Sequence, residues 1–313
     1  MIVKVAAMDG MRLVRMLIMV ATSLLCMTQT APAWWRGGHE IVARAAADAL
    51  PDDLPAFFRQ SGDVLAHYSA EPDAWKNPAT PHLRDAEWPE HFIDYELLGG
   101  RSLPPLRWDY VALCAQLKRN PREVGFLPYA VVEETERLAI AFAEHRRSPD
   151  DSDVRRQCLV HGGILSHYAA DLAQPLHLTV DYDGRTSPGA PSPRTGIHNR
   201  LDALVQAVRI EPREIPLHVQ PMVFEDLFTS MVQEVILNRR AIETVYALET
   251  ELPFVSKEDG VDPKWRPSER VREFGIDRTR RAAFLTASCW LTAWERSAEI
   301  AKHETSHTEK AKP

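Results

Sequence analysis

The chain has 313 residues, of which 45% are hydrophobic and 26% charged, and its formal net charge is −7. That length suits one large domain or two small ones, and the apolar share excludes a disordered chain. The acidic balance gives no help toward duplex DNA, whose binders carry basic patches.

Residues 1–33 read as a secretory signal peptide. Arg12 and Arg15 give a basic start, Met16 to Met27 an apolar stretch, and Ala31-Pro32-Ala33 a small-x-small cleavage site. Cleavage after Ala33 removes Lys4, Arg12, Arg15 and Asp9, so the mature chain begins at Trp34 with 34 of its 37 bases and 43 of its 44 acids. The protein is therefore expected to be exported, to a periplasm or the medium. No later apolar run reaches the roughly 18–20 residues of a membrane span, so no stable membrane anchor is expected.

Beyond Trp34, helical periodicity dominates. It predicts helices over His39–Leu50, Arg107–Lys118, Leu127–Arg146, Val154–Leu172, Ile197–Val208, Val223–Leu252 and Thr279–Lys302. Asn120-Pro121, Ser148-Pro149 and Leu252-Pro253 supply stops. No alternating strand stands out. Proline and glycine cluster between Asp181 and Gly196, which predicts a surface loop. The expected architecture is one mostly helical, all-α domain over residues 34–303, followed by a polar tail, 304–313. Cys114, Cys158 and Cys289 lie in apolar helical patterns and read as buried small hydrophobes, although one disulfide is open to an exported protein.

One stretch carries chemistry. Ser166 to His177 reads Ser-His-Tyr-Ala-Ala-Asp-Leu-Ala-Gln-Pro-Leu-His. His167 and Asp171 are four apart, so a helix points both from one face. His177 follows just past Pro175, and a second His-x-x-x-Asp pair is His198 and Asp202. Imidazole and carboxylate are what zinc takes when cysteine is absent. Upstream, His91 and Asp94 lie in Glu-His-Phe-Ile-Asp, and Asp73 in Glu-Pro-Asp-Ala-Trp. His39 comes five residues after the predicted new terminus, whose amine, with a reference pKa of about 8, can yield its proton to a metal. His161, His67, His82, His145, His218, His303 and His307 read as bystanders, and Trp35, Trp75, Trp88 and Trp290 as core.

Together these segments resemble the zinc-dependent family that contains the fungal single-strand-specific nucleases and the bacterial phospholipases C. The resemblance runs from Trp34 to about Asp202. It implies a phospholipase C/nuclease-like fold with a three-zinc cleft. Asp73, His91, His167 and Asp171 would hold one ion. Trp34 through its amine and carbonyl, His39 and a bridging Asp171 would hold its close neighbour. His177, His198 and Asp202 would hold the third.

It also implies in-line cleavage of a phosphodiester P–O bond. Two close metals lower the pKa of a bridging water to give hydroxide, and the third metal steadies the leaving oxygen. Asp73 and Asp171 are thus the expected catalytic residues, Asp73 also orienting the water. Phe92 and Asp94 match the segment where nucleases stack a base and bond its edge, and the phospholipases have a similar His-Phe-aromatic-Asp segment. Gln174 to His177 and the closing Asp202 lean toward the nuclease branch, acting on single-stranded nucleic acid or nucleotides. The segment after His177, however, lacks the Gly-Gly-Asn stretch usual there. The alternative substrate is a phosphatidylcholine-type lipid. A third reading, from another class, is a zinc-stabilised binding protein without turnover.

Overall fold

The structure, a computed structural model, describes residues 34–187, 190–215, 220–256 and 260–310, with side chains through 302. The predicted signal peptide and its cleavage site lie outside the described residues, as do His218 and the side chains of His303 and His307.

The first turn of structure is helix α1, Arg36–Asp48. Four short helices follow: α2 (Ala56–Arg59), α3 (Gly62–Tyr68), α4 (Glu71–Trp75) and α5 (Pro81–Glu87). Two 3₁₀ turns, Trp88–His91 and Tyr95–Leu98, lead into α6 (Arg107–Gln116) and α7 (Pro121–Val124). The long helices α8 (Leu127–Arg147) and α9 (Ser152–Ala173) come next. After a 3₁₀ turn at Pro175–Leu178 come α10 (Ile197–Asp202), α11 (Leu204–Val208), α12 (Leu227–Arg239) and α13 (Ile242–Ala247). The last helix, α14, is Glu269–Lys310 and runs into the residues expected as a polar tail. The architecture is all-α. Among the described residues the strand content is one hairpin of two-residue strands, in which Val255 pairs with Val261 and Ser256 with Gly260. Among the described residues, no helix is long and apolar enough to cross a membrane.

Helices α8, α9 and α14 form the centre. Asp151 starts α9 by accepting from the backbone N–H groups of Asp153 and Val154, and Pro128 sits in the first turn of α8, where its missing N–H costs nothing. Phe58 lies edge-on to Phe142 and Trp290, with ring centroids 5.0 and 5.3 Å apart, and all three are fully buried. Gly162 and Gly163 let α3 lie hard against α9. A Cβ on Gly163 would stand 2.3 Å from Tyr68 Cβ and 2.8 Å from the Leu65 carbonyl. That approach costs helix propensity at two positions, but it fixes the height of α3 along α9, and with it the segment just beyond Tyr68.

The sequence periodicity merged what the chain breaks. The predicted helix over Val223–Leu252 is α12 and α13 with a break at Arg240–Ala241, and that over Ile197–Val208 is α10 and α11 meeting at Ala203. Helix α14 begins ten residues before the predicted Thr279. Trp290 is core, as expected, while Trp35, Trp75 and Trp88 are only half-buried.

Candidate metal centre

The deep end of α9 holds His167 and Asp171, both fully buried and one helical turn apart. Pro175 ends the helix. The Gln174 side chain accepts from Leu176 N–H at 2.5 Å, bending the chain into the 3₁₀ turn that returns His177 to the same place. Helix α1 brings His39, α4 brings Asp73, and the 3₁₀ turn after α5 brings His91. That turn is pinned from several sides. Phe126 N–H donates to the Pro89 carbonyl at 2.7 Å, and Arg107 grips Glu90 and Glu133 with paired bonds of 2.6–3.0 Å. Asp183 starts α10, its carboxylate accepting from Gly196 N–H at 2.7 Å and His198 N–H at 3.3 Å.

These elements place eight of the nine ligand candidates in three groups: Asp73, His91 and His167; His39, His167 and Asp171; His177, His198 and Asp202. Within each group the donor atoms lie within 4.8 Å of one another. Asp171 faces both ways. Its Oδ2 is 3.0 Å from His91 Nδ1 and 3.3 Å from His167 Nε2, and its Oδ1 is 3.5 Å from His39 Nε2. In the third group His198 Nε2 is 3.1 Å and His177 Nε2 3.8 Å from the Asp202 carboxylate. The ninth candidate, Trp34, is buried at the mouth of α1, and the next residue is tied to the third group: Trp35 N–H donates to the Asp202 carbonyl at 3.1 Å. Phe92 and Asp94 flank His91, both half-buried. His67, His82, His145 and His161 stand apart from the three groups; His161 pairs with Glu134.

The hydrogen bonds select tautomers. His167 Nδ1 lies 2.7 Å from the Ser69 carbonyl, just past the end of α3, and His177 Nδ1 lies 2.8 Å from the His91 carbonyl. A carbonyl can only accept, so each Nδ1 carries the proton and each Nε2 keeps its lone pair for a cation.

Electrostatics divide the histidines. Burial, then neighbouring histidines and Lys76, hold His39 and His177 well below the ordinary histidine value; burial, then Lys76 and the histidines, do the same to His91. Burial also opposes protonation of His167 and His198, but Asp171 and Asp73 beside the first and Asp202 beside the second outweigh it and raise both. Burial pushes Asp171 up to about 6 against the pull of His167, and raises Asp202.

The residues fit zinc. Buried polar atoms ordinarily find partners. Yet both ring nitrogens of His39, Oδ1 of Asp171, Nε2 of His177 and Oδ2 of Asp202 have no hydrogen-bond partner. Neutral imidazoles and desolvated carboxylates aimed at one another are a ligand set short of positive charge.

Three participants escaped the sequence reading. Lys76 is buried, with Nζ 2.5 Å from Asp73 Oδ1. Its i,i+3 spacing from Asp73 was a readable signal. Gln174 was read only as part of a motif, but its Nε2 donates to Asp202 Oδ1 at 2.7 Å. Glu87 had no signal beyond its distance of four from His91.

No protein-family model matches this chain, and no curated protein matches its sequence. Among solved structures it is similar to the alpha toxin of Clostridium absonum, with 14% identity and a TM-score of 0.39 over 84% of this chain. It is similar also to the alpha-toxin of Clostridium perfringens avian strain SWCP, with 12% identity and a TM-score of 0.38 over 85%. The chain spans 64% of the length of each toxin.

Proposed function

We propose that this protein is an exported zinc-dependent phosphodiesterase, a hydrolase acting on P–O ester bonds. The observation that carries this reading is the convergence of five histidines and three aspartates into three adjoining groups, with lone pairs and carboxylate oxygens left unpartnered in the interior.

Asp73, His91, His167 and Asp171 would hold one zinc; Trp34, His39 and a shared Asp171 a second; His177, His198 and Asp202 a third. Bound there, zinc supplies Lewis acidity toward a phosphate and lowers the pKa of water. The third group, with His177, His198 and Asp202, is short of the four protein ligands that close a structural site, which argues against a stabilising role without turnover. Asp73 lies at the edge of the cluster, partly exposed, where a carboxylate can orient a water. Lys76 stands beside it, placed to meet a phosphate oxygen with its ammonium.

Two substrate classes have an observation each. Nucleic acid is supported by Phe92 and Asp94 beside His91. The ring offers a face for a base. The Asp94 carboxyl, pushed up to about 7 by burial and then by Glu96, can donate to or accept from a base edge. Phospholipid is supported by Leu106 and Trp108, 65% and 78% exposed at the start of α6. An indole that is apolar in body and polar at one edge suits a bilayer interface. The phospholipid reading has at least as much support as the nucleic-acid one.

The test uses chain starting at Trp34 and loaded with zinc. Hydrolysis of bis-p-nitrophenyl phosphate that stops on adding a chelator is expected; zinc binding without turnover would leave the binding-protein reading. Single-stranded DNA and phosphatidylcholine vesicles, run side by side, then assign the substrate.

A further inference from the structure

The buried ligand histidines do not treat their spare nitrogens alike. His167 and His177 hand theirs to backbone carbonyls, as described above. His91 is turned the other way. Its Nδ1 faces the cluster, 3.0 Å from both Asp171 Oδ2 and His167 Nε2. Its Nε2 is buried without a hydrogen-bond partner and points at a side chain, with Glu87 Oε1 3.7 Å away. Glu87 is itself buried and ends α5, one turn before His91. Tyr168, the residue after the ligand His167, donates its hydroxyl to the same Glu87 oxygen. The Tyr168 ring also meets the His91 ring edge-on, with centroids 5.6 Å apart.

We infer that Glu87, oriented by Tyr168, is a positioning residue that sets which nitrogen of His91 reaches the metal. This rests on the zinc reading above. A half-turn of the His91 ring would bring Cδ2 to the cluster in place of Nδ1, so the ring has one useful orientation. In that orientation the proton must sit on Nε2, and Glu87 is the acceptor facing it. A carboxylate behind a ligand imidazole fixes its tautomer and makes it a better donor; losing such a partner typically weakens metal binding about 10–100-fold. The device also links two ligands. Tyr168 moves with His167 on α9, and Glu87 moves with the turn that carries His91, so their bond holds the two imidazoles in register.

Long-range proton–nitrogen NMR spectra of the histidine rings in the zinc-loaded protein read the tautomers directly, with His91 assigned by its loss in His91→Asn. The expected result is His91 protonated at Nε2 beside His167 and His177 protonated at Nδ1. Chelator competition, with retained zinc counted by mass spectrometry, gives the second readout. Glu87→Ala is expected to weaken one zinc about 10–100-fold and to mix the His91 tautomers. Glu87→Gln, whose amide oxygen still accepts, recovers most of both, and Tyr168→Phe shows a smaller loss than Glu87→Ala. A His91 protonated at Nδ1 in the unsubstituted protein overturns the inference. So does Glu87→Ala with zinc affinity and tautomer unchanged. Should Glu87→Ala fail to fold, the unsubstituted spectrum and Tyr168→Phe still decide. Unsubstituted protein that retains no zinc at all would instead sink the functional reading itself, before any substitution is made.

Discussion

The two ends of the candidate metal centre are built differently. Around Asp171, the candidate ligands come from α1, α4, the turn after α5 and the last two turns of α9, and they are held by depth. Around Asp202, they come from a 3₁₀ turn and a six-residue helix, held by side-chain caps: Gln174 on Asp202 and Leu176, and Asp183 on the start of α10. Arg200 adds three bonds, to the carbonyls of Glu249, Leu252 and Pro253. A site made of depth fails as a whole, whereas a site made of caps can be loosened alone.

Asp171→Asn gives the largest expected effect. Because Asp171 faces both adjoining groups, two zincs should be lost and activity abolished, whereas Asp202→Asn should release one. Native mass spectrometry counts them, and loss of a single ion from Asp171→Asn would break the bridging role. Next is one extra residue before Trp34. An acylated nitrogen is a poor ligand, so the amine-bound zinc should be missing and activity low; full activity from an N-terminally tagged protein would show the amine is dispensable.

Acid should act on both ends. Against burial, their Asp partners raise His167 and His198 above the ordinary histidine value, and burial pushes Asp171 up to about 6, so zinc must compete with protons at all three. Zinc affinity is expected to fall as pH drops from about 7 through 6, read with a metal indicator. For the zinc-free fold the sign at the two histidines reverses: their raised values favour folding below 6.5, and that contribution is lost as pH rises through the folded values. Gln174→Ala sharpens the contrast at smaller scale, releasing only the third zinc. Phe92→Ala is the smallest. If nucleic acid is the substrate, KM should rise roughly 5- to 150-fold, the equivalent of about 1–3 kcal/mol per stacked base, with lipid hydrolysis unchanged.

The grouping of the candidate ligands was legible in part because two of its spacings are local. His167 with Asp171 and His198 with Asp202 are i,i+4 pairs, and a helix makes such pairs adjacent whatever surrounds it. The long helices α8 and α9 were legible for the same reason. What the chain did not announce depends on packing between distant segments. The short helices α2 to α5 carry too few residues for a period to emerge, and Ala203, which divides α10 from α11, is an ordinary helix former. Lys76 was missed because a lysine is normally a solvated charge, and only the folded protein shows its ammonium beside Asp73. Tyr168 was hidden in plain view, one residue from the candidate ligand His167, because nothing local ties a tyrosine to Glu87 81 residues away.

The three described thiols have a practical meaning. Cys114, Cys158 and Cys289 are buried and unpaired. Whatever holds this fold is therefore not a cross-link among them, and reducing agents have nothing there to cut. Dithiothreitol should leave the melting temperature where it was, provided zinc is kept in excess of what the reagent binds. EDTA should lower it. A protein that tolerates the first and yields to the second is one whose staples are ionic, removable without breaking a covalent bond.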